Sequence, residues 1–204
     1  MTIASKSELT YAAIVEGGLE LALAEGIGNV SLGAVAKRLG ISKSGVFSRI
    51  RSLEALQHAV LDDFDRRFVL EVFKPAMALP KGLPRLNGLV NGWIKWVCGK
   101  PKHSGCLYIA GSFEYDDTAG SLRDRLEHGV LKLRKALNTT VRQALEVGDL
   151  RPDTDVEQLG FEIYSLIVGL MHDARFLRDA KAPERMCNAY ARLVSTYRSF
   201  TAVV

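Results

Sequence analysis

The sequence predicts an all-α chain: an N-terminal three-helix helix-turn-helix domain, joined by a long helix to a larger helical domain. Three observations lead there. No stretch sustains the period-two alternation of a half-buried strand; apolar residues recur at three and four positions instead. Helix-starting serines (Ser31, Ser42, Ser52) stand before short periodic segments, and Gly26 and Gly40 stand after such segments. Residues 76–85, "AMALPKGLPR", gather two prolines and a glycine into the one linker-like break. Of the 204 residues 48% are apolar, enough for a sizeable core and too many for extensive disorder.

The first helix is expected over residues 7–25, stopped by Gly26, with Gly28-Asn29 as its loop. Ser31 is a good N-cap for "LGAVAKRL", and Gly40 a C′ residue able to take a positive φ. Ile41 is expected to turn inward, and Ser42 to cap a second short helix ending near Ile50. Leu32, Val35, Ala36 and Leu39 form one apolar face, answered by Ile41, Val46 and Ile50; the small Ala36 sits where two helices cross closely. Two short helices about a glycine turn, with a third before them, make a helix-turn-helix unit over residues 7–51. Ser52 opens a connecting helix, "LEALQHAVLDDFDRRFVLEVF", expected to close at Pro75.

The second domain, residues 75–204, reads as four further helical segments before a last one. "LNGLVNGWIKWVCG" runs to Lys100-Pro101, and "GCLYIAGSFEY" to the acidic turn Asp116-Asp117. Ser121-x-x-Asp124 and Thr154-x-x-Glu157 both look like capping boxes. They open one helix ending at Gly148 and another running to about Asp179. Pro183 suits the first turn of the final helix.

Charge says more by position than in total. The net charge is +4, yet residues 31–51 hold Lys37, Arg38, Lys43, Arg49 and Arg51 with no acid. The preceding thirty residues set Lys6 against Glu8, Glu16, Glu20 and Glu25. A solvated basic face is one reading; the helix-turn-helix geometry around the run favours phosphate contact. Three cysteines, odd in number and without CxxC spacing, fit a reducing compartment and no disulfide or zinc framework. The longest uncharged apolar run, 163–171, is far short of a bilayer span, and Glu8 interrupts any signal-like segment. A cytoplasmic protein with no membrane partner is expected.

No catalytic constellation is visible. The four histidines lie in separate segments, and HExxH, GxSxG, P-loop and GxGxxG patterns are absent. His172-Asp173, with Glu114, Asp116 and Asp117, could assemble an acid–base or metal site; the plainer reading is that His172 and Asp173 satisfy each other or a neighbour in a ligand cavity. No catalytic residue, metal or cofactor is expected. Trp93, Trp96, Phe113, Glu114, Tyr164 and His172 are candidate pocket-lining residues, with ordinary core packing as the alternative for the aromatics. On the penultimate helix, Val156, Leu159, Ile163, Leu166, Leu170 and Leu177 form a heptad seam, beside a second stripe of Gly160, Ile167, Met171 and Ala174. The last helix repeats the pattern with Met186, Tyr190, Leu193, Tyr197 and Phe200. One core could take both helices. A dimeric four-helix bundle uses both stripes and places Leu159, Ile163, Leu166, Leu170, Tyr190, Leu193 and Tyr197 at the interface.

Residues 26–64, "GIGNVSLGAVAKRLGISKSGVFSRIRSLEALQHAVLDDF", resemble the DNA-binding domain of the TetR family of transcriptional repressors. Gly26 after the first helix, Ser31 before "LGAVAKRLG", "ISKSGVF" and Ser52-Leu-Glu-Ala-Leu carry the resemblance in order; "SGCLYIAGSFEYDD" looks like a segment of some members. The resemblance implies a homodimer on a palindromic operator in double-stranded DNA, with the second short helix in the major groove. It also implies an unknown small-molecule effector in the C-terminal domain, which shifts the fourth helix and releases the operator. By position it assigns Ser31 and its helix, with Lys37, to the phosphate backbone. Ser42, Lys43, Ser44, Gly45, Phe47, Ser48, Arg49 and Arg51 fall to the DNA-facing surface. Phe47 stands where the family commonly has a tyrosine. Arg49 suits bidentate reading of a guanine or contact with a phosphate. A DNA-binding regulator without a small-molecule switch is the alternative, and a helical enzyme using His172, Asp173 and Glu114 the remote one.

Overall fold

The computed structural model describes residues 6–99 and 105–199, and among them the only β-pairing is an isolated antiparallel bridge between Leu150 and Arg198. The helices are α1 (Lys6–Glu25), α2 (Leu32–Leu39), α3 (Lys43–Phe47), α4 (Leu53–Phe68), α5 (Lys74–Met77), α6 (Leu83–Val97), α7 (Leu107–Glu114), α8 (Ser121–Glu146), α9 (Val156–Met171) and α10 (Ala182–Tyr197). The contacts divide the chain into two compact units, 1–67 with 100–129 and 68–99 with 130–204. This partition is drawn differently from the sequence division at residues 52 and 75, because α7 and the start of α8 group with the helix-turn-helix elements.

In the first unit α1 and α4 cross closely. A Cβ on Gly18 would lie 2.7 Å from Val60 Cγ2, so only glycine lets the helices approach this far. Ile14, Leu19, Val35, Val46, Leu56, Phe64 and Tyr108 fill the core around that crossing. Ser31 Oγ accepts from Ala34 N–H at 3.0 Å and starts α2; Gly40 ends it at φ +64°, the left-handed conformation that a side chain would strain. In the second unit Leu86, Leu89, Val90, Trp93, Leu137, Val141, Leu159, Ile163 and Ile167 make the core, packed between α6, α8 and α9.

Several sequence expectations are corrected. Pro75 does not close the connecting helix: a π-helical turn, Val69–Phe73, follows α4, and α5 continues with Pro75 in its first turn. A second π turn, His172–Phe176, carries α9 onward. The Thr154 box is not formed; Asp155 is the cap, accepting from Glu157 and Gln158 N–H at 2.9 and 3.0 Å. Ser121 turns its hydroxyl to the Glu54 carboxylate rather than capping its own helix. α6 begins at Leu83, ahead of the expected start, because Asp149 Oδ2 accepts from Leu83 N–H at 2.7 Å. Ile41 stays 37% exposed instead of turning inward. The expectations for Lys100-Pro101, His103 and Phe200 fall outside the described residues.

Candidate nucleic-acid interface and effector region

The α2–α3 pair presents a polar, basic surface on a buried footing. Val46 and Ile50 are 0% and 3% exposed and anchor the second helix, while Ala36 is buried at the crossing. Outward lie Lys37, Ser42, Lys43, Ser44, Phe47, Ser48, Arg49 and Arg51, all exposed; Ser31 and Gly45 are half-buried. Ser42 Oγ accepts from Gly45 N–H at 3.0 Å and lies 3.0 Å from Ser44 Oγ. One of the two hydroxyls donates to the other, and the remaining proton of the pair is available to an outside acceptor. α3 is shorter than expected, ending at Phe47. Ser48 caps it, donating to Gly45 O at 2.9 Å, and Arg49 Nη1 reaches back to Ser48 Oγ at 2.6 Å. Arg49 therefore stands in the turn after the helix rather than on it.

The basic run is also smaller than its sequence. Arg38 pairs with Glu20 of α1, its Nε donating at 3.0 Å. Lys37, Lys43, Arg49 and Arg51 have no carboxylate partner among the described residues. Four exposed cations thus stand within one short segment beside serine hydroxyls and an exposed aromatic ring, a composition suited to a polyanion.

Two neighbouring features escaped the sequence reading. Glu114, expected in a pocket, instead accepts from Gly28 N–H at 2.8 Å and clasps the turn between α1 and α2. A network joins α4, α7 and α8: Tyr108 Oη donates to Asp65 at 2.8 Å, and Arg125 donates to Tyr108 Oη at 2.8 Å, Asp62 at 3.0 Å and Asp65 at 3.1 Å. Burial, and then the Asp65 charge, push the Tyr108 phenol far above its ordinary value, so it remains a donor. Acids three apart on α4 were a visible hint; their arginine, some sixty residues on, was not.

The other candidate lining residues separate. Trp93 and Trp96 are buried, and Phe68 meets both edge-on at centroid distances of 5.3 and 5.8 Å. Tyr164 stacks edgewise on Trp93 at 6.2 Å, with the Arg134 guanidinium 5.8 Å from its ring centre. Trp93 Nε1 is buried with no hydrogen-bond partner. Phe113 is 66% exposed and belongs to the other unit with Glu114. His172 is exposed, its Nδ1 3.0 Å from Asp173 Oδ1, as the plainer reading expected. Of the expected interface residues, Leu159, Ile163, Leu170 and Tyr190 are covered by the protomer itself, and Leu166, Leu193 and Tyr197 are half-buried. Within the heptad seam Leu159, Ile163 and Leu170 point into the core, Val156 and Leu166 are half-buried and Leu177 is exposed; the outward face of α9 carries Phe161, Ser165, Gly169, His172 and, beyond it, Phe176. No group of three or more histidine, cysteine or acidic side chains among the described residues is placed to hold a metal ion. No helix among them is long and apolar enough to cross a membrane.

Comparison with known proteins agrees with this anatomy. The sequence model described as "Tetracyclin repressor-like, C-terminal domain" matches residues 82–190. No curated protein sequence matches the chain. Among solved structures, a TetR-family transcriptional regulator from Cytophaga hutchinsonii aligns with a TM-score of 0.82 at 19% identity, covering 98% of this chain and 100% of its own. A TetR transcriptional regulator from Chloroflexus aurantiacus aligns at 0.81 and 22% identity, covering 93% and 94%. AibR, solved with isovaleryl coenzyme A and operator DNA, aligns at 0.70 and 20% identity, covering 94% and 100%. These likenesses share the fold, and the domain match spans more than half of the sequence. With a helix-turn-helix at one end and the matched helical domain after it, the chain belongs to the TetR family of non-enzymatic, DNA-binding transcriptional regulators.

Proposed function

We propose that this protein is a cytoplasmic homodimeric repressor, released from a palindromic operator by a small-molecule effector. The observation that carries the DNA reading is the exposed set Lys37, Lys43, Arg49 and Arg51 in and just after the α2–α3 pair, with no carboxylate partner among the described residues. Each subunit sets α3 in the major groove, with Lys43 and Ser44 at its start and Phe47 at its end. Ser31, Lys37 and Arg51 meet phosphates, and Arg49 reaches a guanine edge or a phosphate from the turn. Half-sites lie about 34–36 Å apart or a multiple of that. The dimer is built on the outward α9 face of Phe161, Gly169, His172 and Phe176, with Leu166, Leu193 and Tyr197 at its margin. This face replaces the buried seam.

The effector sits against Trp93, Trp96 and Tyr164. The buried Trp93 N–H supports this, because a buried donor without an acceptor is costly and a ligand carbonyl or hydroxyl would satisfy it. AibR, solved with an acyl coenzyme A and operator DNA, supports ligand control in a protein of this fold. One observation favours a regulator without such a switch: Phe68, Trp93 and Trp96 already pack edge to face.

The deciding experiment selects bound fragments from random DNA and measures affinity for the selected site. A palindrome bound by a dimer, with affinity lost on Lys43→Ala, is expected; absence of any selected site refutes the proposal. A thermal-shift screen then separates the two readings. Stabilising ligands that lower operator affinity and lose effect in Trp93→Phe support effector control.

A further inference from the structure

A second concavity lies in the second unit, away from the aromatic cluster. It is a groove of about 610 Å³ between α6 and α10. Leu83 and Val194, 7% and 6% exposed, form its apolar floor with the ring of Tyr190. On α10 the groove takes the flank of Ala191 and Val194, whereas Tyr197 turns to α9 and donates to Glu162 at 2.9 Å. The groove and the outward face of α9 are therefore on different flanks.

Its polar lining is dominated by donors. Tyr190 Oη donates to Asn87 Oδ1 at 2.8 Å, which occupies that amide's acceptor and leaves its NH2 group to a ligand. Burial pushes the Tyr190 phenol above its ordinary value, so this polarity holds across the working pH range. Asn91, one turn further along α6, is exposed and has no partner among the described residues. Two charges line the groove. The Asp149 carboxylate is engaged at the first turn of α6, accepting from Leu83 N–H at 2.7 Å, where the positive helix end offsets its charge. Arg198 is exposed and pairs with no carboxylate among the described residues. Its backbone is fixed by the bridge to Leu150 and by the flanking bonds from Arg151 N–H to Tyr197 O and from Ser199 N–H to Asp149 O. The uncommitted charge is thus one held cation, beside amide donors and over an apolar floor.

We infer that this groove binds an amphipathic organic carboxylate, its carboxylate held by Arg198 and the Asn87 and Asn91 amides and its apolar body on Leu83, Tyr190 and Val194. The site stands independently of the effector reading above.

The test uses the full chain, octanoate as probe, and octylamine as the charge-reversed control. Cys187 lines the groove and is exposed, so its alkylation rate, followed by peptide mass spectrometry, reports occupancy directly. Octanoate is expected to slow Cys187 alkylation severalfold while octylamine leaves it unchanged. Calorimetric affinity should fall about tenfold in Arg198→Gln, the scale of one charge-assisted hydrogen bond, and recover in part in Arg198→Lys. Ala191→Trp, filling the groove from an exposed position, should abolish binding with the fold intact by circular dichroism. Equal protection by octylamine overturns the inference, as does octanoate affinity unchanged in both Arg198→Gln and Ala191→Trp. Binding lost in Trp93→Phe and kept in Arg198→Gln would move the ligand to the aromatic cluster and overturn the groove. Failure to bind DNA would leave these outcomes unaffected.

Discussion

Phe47 is 53% exposed on the surface proposed above to face DNA, where an aromatic ring without a hydroxyl can offer only packing or contact with a thymine methyl. Restoring the hydroxyl with Phe47→Tyr should therefore add one phosphate hydrogen bond per subunit and tighten binding of the dimer about thirtyfold, the scale of roughly 2 kcal/mol. The gain should be the same for matched and mismatched operators, measured by fluorescence anisotropy, since phosphates carry no sequence information. A gain confined to one base position would place Phe47 against a base instead. Thr154 makes the opposite case. Its Oγ1 is buried without a partner, because Asp155 performs the capping. Thr154→Val should be neutral or stabilising by up to about 1 kcal/mol, read as a rise in Tm, because it removes an unsatisfied polar atom at similar shape. The caps at Ser31 and Ser42 were legible in the sequence because one serine immediately precedes each periodic segment, its oxygen placed to accept from the first turn. At residues 154–155 two capping residues stand side by side, and only the backbone at Asp155, extended at φ −75° and ψ 111°, decides between them.

At the scale of elements, the helices were legible from apolar spacing, as were the ends marked by Gly26, Ser31, Gly40 and Ser42; the passage through Pro75 was not. The π turns at Val69–Phe73 and His172–Phe176 keep the helix running while changing which face its side chains occupy. Spacing of three and four cannot reveal such a step, so Pro75 read as a terminator. The same limitation hid the outward face of α9: its heptad seam is real, but the protomer's own α6 and α10 cover Leu159, Ile163 and Leu170. Long-range polar pairing was invisible for another reason. Arg125 reaches Asp62, Asp65 and the Tyr108 hydroxyl across a large sequence separation, and its side chain is only 18% exposed. Truncating it leaves Asp65 and Tyr108 short of a partner. Arg125→Met should cost about 1–3 kcal/mol in chemical denaturation, more than an exposed ion pair is worth. A loss below about 0.5 kcal/mol would show that solvent replaces the guanidinium freely.

For the molecule as a whole, the decisive quantity is how many charges DNA neutralises. Sequence alone offers five cations in the α2–α3 segment; the pairing of Arg38 with Glu20 leaves four. If Lys37, Lys43, Arg49 and Arg51 of both subunits each meet one phosphate, the logarithm of operator affinity should fall with that of salt at a slope near about −7. Arg38→Ala should leave the slope unchanged, since its charge is already spent inside the protein. Lys43→Ala should reduce the slope by about 2, one phosphate in each half-site. Arg49→Ala distinguishes its two roles by the same measurement. A phosphate clamp reduces the slope and weakens all sequences alike, whereas a guanine reader keeps most of the slope and loses discrimination at one base pair, worth about 1–3 kcal/mol. A slope halved to about −3.5 with full affinity for an isolated half-site would mean a monomer on DNA, and would remove the palindrome together with the dimer built on the outward face of α9.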